Sequence, residues 1–220
     1  MAAFASVIFD CDSTLCAIEG IEELASRHHD EITRLTEAAM RGEIPLEEIY
    51  GRRLELIRPT RADLEELGRR YVETLVPGAR ETVSGLLAAD VEVRILSGGL
   101  RPAVIDVARA LGLREGAVTA VDIHFDDRGE YAGFDTGSPL TRSAGKAQIV
   151  REWGPWLPRP AMLVGDGATD LAAAREVEMF VAFAGVVERP VVTAAANVIV
   201  RERSLAPILA LALEIPSGHA

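Results

Sequence analysis

The chain opens with a short apolar run, "ASVIFD" at residues 5–10, that ends on a carboxylate. Continuous apolar stretches of this length read as a buried strand. Residues 17–75 then change character: Leu, Glu and Arg recur at helical spacing with almost no β-branched runs. The spacing predicts helices over about 20–28, 31–40, 45–57 and 61–75, with Pro45 suited to a first helical turn. "VPGAR" at 76–80 closes this block.

Beyond it, strands and helices alternate. A helix is expected over 79–89, then strand "VEVRIL" at 91–96, a helix over 102–111 and a short strand near 117–121. "VDIHFDDRGEYAGF" reads as a hairpin turning at Asp127–Gly129. A helix follows Gly145. The Pro-rich "WGPWLPRP" reads as a helix-to-strand connector rather than a polyproline ligand, because strand "AMLVG" follows at once. A helix over 169–177, strand "MFVAFAG" and an apolar helix over 204–213 complete the pattern, and "IPSGHA" reads as a frayed end.

Such alternation predicts an α/β fold: a Rossmann-like, mostly parallel sheet with helices on both faces, plus a small β-hairpin. The all-helical block reads as a cap inserted after the first strand. The expected division is a core of residues 1–16 and 77–220 and a cap of 17–76. Ligands of such sheets bind beyond the carboxyl ends of the strands.

Composition narrows the functions available. The 220 residues are 49% hydrophobic, enough for a sizeable core, yet mean hydropathy is only +0.16 and no run approaches a membrane span. "MAAFASVIFD" lacks a basic start and reads as a first strand rather than a signal peptide. A net charge of −11 argues against nucleic acid or an anionic membrane as partner. Cys11 and Cys16 form no disulfide framework and suit a reducing cytoplasm.

The chemistry gathers at the strand ends. The first strand delivers Asp10 and Asp12, the second "SGG" (Ser97, Gly98, Gly99), and a later one "GDGATD" with Asp166, Thr169 and Asp170. One such Asp alone would read as a helix cap or turn former. Four converging on one edge repel one another unless a cation is present. A hard divalent ion with oxygen ligands, typically magnesium beside phosphate, meets that need. Glycines at 98 and 99 let backbone N–H groups approach an anion ahead of a helix N-terminus. Lys146 sits in a first helical turn after "SAG", where a cation opposes the helix dipole, which favours a phosphate ligand over a solvated surface lysine. Paired carboxylates, a metal and an anion cradle are equipment for phosphoryl transfer.

"DCDST", Ser97, Lys146 and "GDGATD" match in order the four motifs of the haloacid dehalogenase superfamily, and within it the chain resembles the phosphoserine phosphatase family. The resemblance includes "EGIEELA" at 19–25, "AAMRGEIP" at 38–45, "LELIRP" at 54–59, "LSGG" at 96–99 and "GEYAGFD" at 129–135. It implies a magnesium-dependent cytoplasmic phosphatase, monomeric or homodimeric. Its implied reaction hydrolyses O-phospho-L-serine through an aspartyl-phosphate, the last step of serine biosynthesis. Asp10 resembles the nucleophile and Asp12 the acid/base, with the Asp12 carbonyl, Asp10 and Asp166 on the metal and Asp170 in support. Ser97, Gly98, Gly99 and Lys146 resemble the phosphate grip. Glu19 and Arg53 match residues that bind the substrate's ammonium and carboxylate, and Met40 and Thr169 match residues near it. Arg53 is also favoured by its own position: it lies on the apolar stripe of its helix, where a guanidinium either snorkels or grips a carboxylate bidentately.

Arg41 and Leu100 depart from the family's common Gly and Phe. His28, His29 and His124 lack metal-ligand spacing and read as structural or solvated. Three other readings remain at this point. One is a phosphatase or phosphotransferase for a different small phosphomonoester. Another is a non-catalytic phospho-receiver, which would need neither Asp12 nor a carboxylate-binding Arg. A dehalogenase would likewise need neither Asp12 nor magnesium.

Overall fold

The computed structural model describes residues 2–25, 29–41 and 43–214. Residues 26–28, Gly42 and the tail 215–220 lie outside it, and with them the expectations for His28 and "IPSGHA".

Strand β1 (Ser6–Phe9) is wholly buried and occupies the middle of a six-stranded sheet. It pairs in parallel with β2 (Glu92–Leu100) on one side and β6 (Ala161–Gly165) on the other, Val7 lying beside both Val93 and Met162. Outside these run β3 (Val118–Val121) and, on the far side, β7 (Met179–Phe183) and β8 (Val198–Val200), giving the order β3-β2-β1-β6-β7-β8 with every pairing parallel. Continuous Val, Ile, Leu and Phe runs suit strands covered on both faces. The strand order reverses at β1, so the crevice at its carboxyl end is where a ligand site is expected. The hairpin forms a separate antiparallel pair, β4 (Ile123–Phe125) and β5 (Tyr131–Phe134), and Gly129 supplies the left-handed conformation (φ 82°) in its turn.

Helices α1 (Gly20–Glu23), α2 (His29–Met40), α3 (Leu46–Ile57) and α4 (Arg61–Glu73) intervene between β1 and α5 (Ala79–Ala88). A capping box starts α4: Asp63 N–H donates to Thr60 Oγ1 (3.2 Å), and Thr60 N–H donates to Asp63 Oδ2 (2.8 Å). The chain enters and leaves this block through two antiparallel segments. Ala17 N–H donates to the Thr74 carbonyl, and Val76 N–H to that of Leu15, each at 2.9 Å. Helices α6 (Arg101–Ala110), α7 (Gly145–Trp153), α8 (Ala168–Ala173), α9 (Pro190–Thr193) and α10 (Ala206–Leu213) complete the fold. Among the described residues no helix is long and apolar enough to cross a membrane.

The differences from the sequence pattern are local. Strand β2 runs on through "SGGL" to Leu100, with a register shift against β3 between Leu96 and Leu100. The glycine pair therefore widens the strand rather than ending it. The first helix of the block closes at Glu23, short of residue 28. Strand β8 and α9 escape the pattern because each is only a few residues long. His124 is exposed on β4, and Leu100 is buried.

Candidate active site

The backbone leaves β1 through one wide turn. Asp10 Oδ1 accepts from Cys11 N–H (2.7 Å), and Cys16 N–H reaches back to the Cys11 carbonyl (2.9 Å). Within the turn Ser13 adopts a left-handed conformation (φ 50°). Asp10 and Asp12 both lie along the crevice, where Glu19, Met40, Arg53, Gly98, Gly99, Lys146, Asp166 and Thr169 join them around one small cavity. Ser97 and Asp170 sit immediately behind it, fully buried.

Lys146 is 3% exposed and lies between two carboxylates, 2.8 Å from Asp10 Oδ2 and 2.7 Å from Asp170 Oδ1. A solvated surface lysine is thereby excluded. Burial works against its charge, but Asp10 and Asp170 outweigh that and lift its pKa. Burial pushes the Asp10 carboxyl well above the usual carboxylate range, and repulsion from Asp170 adds to this while Lys146 opposes it. Asp170 is held by Gly167 N–H (3.0 Å) and packs on Gly165, where a Cβ would stand 2.2 Å from its carboxyl carbon. Only glycine permits that approach.

Ligand oxygens of Asp10, Asp166 and Asp170 all lie within 4.8 Å of one another, and all three residues are buried. An all-oxygen, acidic donor set fits a hard divalent cation. Asp166 also accepts from Thr14 Oγ1 (3.1 Å) and pairs with Arg189.

Asp12 turns its side chain away from this group. Its Oδ1 accepts from Gly20 N–H (2.7 Å) and Tyr71 Oη (2.5 Å), while its Oδ2 faces Gly99, where an added Cβ would stand 3.1 Å away. Burial raises its pKa, against the pull of these donors, Lys146 and Arg53. Ser97 Oγ accepts from Gly99 N–H (2.9 Å), fixing the bend of the cradle.

The helical block supplies the opposite wall. Arg53 is buried on α3; its Nη1 donates to Thr36 Oγ1 (2.8 Å), it lies over the Tyr50 ring, and its Nε has no hydrogen-bond partner among the described residues. Burial lowers its pKa. Tyr50 Oη in turn donates to the Gly98 carbonyl (2.8 Å), tying α3 to the cradle. Glu19 accepts from Ser13 Oγ (2.7 Å); burial and the nearby Asp12 charge push it to about 7 against the pull of Arg189. Arg41 is exposed, paired with Glu43 and Glu37, outside the cavity.

Sequence reasoning missed Arg189, Tyr71, Tyr50 and Thr36. Arg189 is 2% exposed and joins Asp166, Glu19 (3.4 Å) and Glu37 (3.6 Å). It belongs to no spaced motif, and its partners lie far away in the chain.

A parallel sheet carrying a buried carboxylate cluster, a bridging lysine and a glycine cradle at one edge is the equipment of a phosphoryl-transfer enzyme. The chain belongs to the haloacid dehalogenase-like hydrolase family, whose model matches residues 4–178. Within that family it groups with the phosphoserine phosphatases. It is 37% identical to the chloroplastic phosphoserine phosphatase of Arabidopsis thaliana over 197 residues, covering 87% of this chain and 67% of the plant protein. It is likewise 37% identical to phosphoserine phosphatase of Bos taurus over 187 residues, covering 84% and 83%. A substrate-bound phosphoserine phosphatase structure superposes with a TM-score of 0.81 at 26% identity, covering 94% of this chain and 97% of that one.

Proposed function

We propose that this chain hydrolyses O-phospho-L-serine to L-serine and phosphate, with magnesium as its cofactor. The observation that carries the substrate is Arg53. A buried guanidinium whose Nε has no hydrogen-bond partner among the described residues faces the same cavity as Asp10, Asp12 and Lys146. Burying a cation is costly, and a substrate carboxylate would repay it. Glu19, across the cavity, takes the ammonium, and Met40 and Thr169 flank the substrate.

In the first step an Asp10 carboxylate oxygen bonds to phosphorus as the bond to the serine oxygen breaks. Asp12 gives its proton to that oxygen, so serine leaves as the neutral alcohol. In the second, water attacks the aspartyl-phosphate; Asp12 takes its proton, the Asp10–phosphorus bond breaks and phosphate departs. Ser97, the backbone at Gly98 and Gly99, and Lys146 hold the phosphoryl oxygens throughout. Magnesium, held by Asp10, Asp166 and the Asp12 carbonyl with Asp170 in support, would neutralise the carboxylates and the phosphoryl charge. Residues 17–76 act as a cap that closes over the substrate and excludes water. The enzyme works in the cytoplasm at the last step of serine synthesis, as monomer or homodimer.

The test is kcat/KM for phosphoserine against other small phosphomonoesters, with magnesium and with chelator. Phosphoserine should be preferred, magnesium required, and Asp10→Asn inactive. Equal rates across the panel, or turnover by Asp10→Asn, would overturn the assignment.

A further inference from the structure

We propose that Tyr71 is a positioning residue for the acid/base carboxylate, a role that rests on the phosphatase mechanism above. Tyr71 stands in the last turn of α4 and is fully buried, and its phenol donates to Asp12 Oδ1 at 2.5 Å. Gly20 N–H donates to the same oxygen at 2.7 Å. With Oδ1 engaged by two donors, the proton that Asp12 gives and takes must sit on Oδ2, the oxygen turned toward Gly99 and the phosphate cradle. The pair of donors thus selects which oxygen does the chemistry and fixes its direction. A general acid misplaced by a fraction of an ångström loses much of its effect.

The sequence around this contact is built for it. A Cβ at Gly20 would stand 2.0 Å from the Tyr71 hydroxyl oxygen, so only glycine lets the phenol reach Asp12. Tyr71 also lies three residues before Thr74, whose carbonyl pairs with Ala17 where the chain enters the helical block. The contact therefore lies at the base of the block, beside the segments that join it to the sheet. Tyr71 keeps its own proton; every proton transferred is carried by Asp12.

The test compares Tyr71→Phe with wild type on an alkyl phosphate, whose leaving oxygen needs a proton, and on p-nitrophenyl phosphate, whose leaving oxygen is stable as an anion. Because kcat/KM reports only the steps through departure of the alcohol, before Asp12 acts as base on water, with phosphoserine it should fall about tenfold to a hundredfold, part of what general acid catalysis supplies, and with the aryl ester by less than about threefold. Gly20→Ala, which pushes the phenol away by a different route, should give the same split and serves if Tyr71→Phe folds poorly. Equal losses of kcat/KM on both esters, or no loss on the alkyl ester, would overturn the role. If the wild type proves inactive on phosphoserine, the substrate assignment fails instead, and the comparison is made with whichever alkyl phosphate it hydrolyses.

Discussion

Replacing Lys146 with methionine keeps its bulk and removes the cation between Asp10 and Asp170. Those side chains are 9% and 0% exposed, so water cannot take over the lysine's work. Two buried carboxylates then face each other, and a proton that Lys146 helps to keep off Asp10 stays bound in the folded variant. An aspartate titrates near 3.9 when unfolded, so holding a proton at pH 7 costs about 1.36 × 3.1, or ~4 kcal/mol. That agrees with the roughly 3–5 kcal/mol typical of breaking a buried ion pair. At pH 5 the same reasoning gives only ~1.5 kcal/mol. The sign follows from proton counts: the folded variant binds more protons than its unfolded chain, so its stability falls as pH rises. The wild-type lysine, whose pKa is raised by folding, contributes fully below its unfolded value near 10.4 and adds no slope of its own between pH 5 and 7. The assay is urea unfolding of both proteins at pH 5 and pH 7 with chelator present, so that no divalent ion replaces the ammonium. A penalty equal at both pH values, or below about 0.5 kcal/mol at pH 7, would refute the charge argument.

Two further predictions concern the opposite wall. Arg53→Ala should raise KM for phosphoserine at least tenfold while leaving p-nitrophenyl phosphate turnover within about threefold, as expected if a charge-assisted carboxylate contact worth about 1.5–3 kcal/mol is lost; steady-state kinetics on both esters decides it. Glu19, raised from an ordinary 4.5 to about 7, makes the metal-free protein bind an extra proton between those values. Wild-type stability should therefore decline through that window, and Glu19→Gln should remove the decline. The gain at pH 7.5 relative to pH 4.5 is on the order of 2–3 kcal/mol, read from urea midpoints.

The helical spacing of 46–57 was enough to put Arg53 on an apolar stripe, and its burial on α3 follows from that stripe. It did not reveal that Thr36 meets the guanidinium, or that Tyr50, one turn earlier on the same helix, reaches the Gly98 carbonyl, because those contacts depend on how α2 meets α3 and how α3 meets the glycine cradle. Arg189 illustrates the limit more sharply. A lone arginine before "PVVT" carries no periodic signal, yet it joins Asp166, Glu19 and Glu37 from three separate parts of the chain. Likewise "DCDST" placed both carboxylates beyond β1, but nothing in it says that Asp10 turns toward Lys146 while Asp12 turns toward Tyr71.

The sequence by itself determined the alternation of buried strands and amphipathic helices, the helical interruption after β1, and the polar punctuation at three strand ends. These follow from local periodicity and from carboxylates and glycines placed where an apolar run stops. Only the tertiary structure decided which oxygen each carboxylate presents, which cation compensates it, and which side chains from the helical block hold it in place. Those choices are made by groups distant in sequence that become neighbours when the sheet and the helices pack. Burial then makes each pairing decisive, because an uncompensated charge in that crevice costs several kcal/mol.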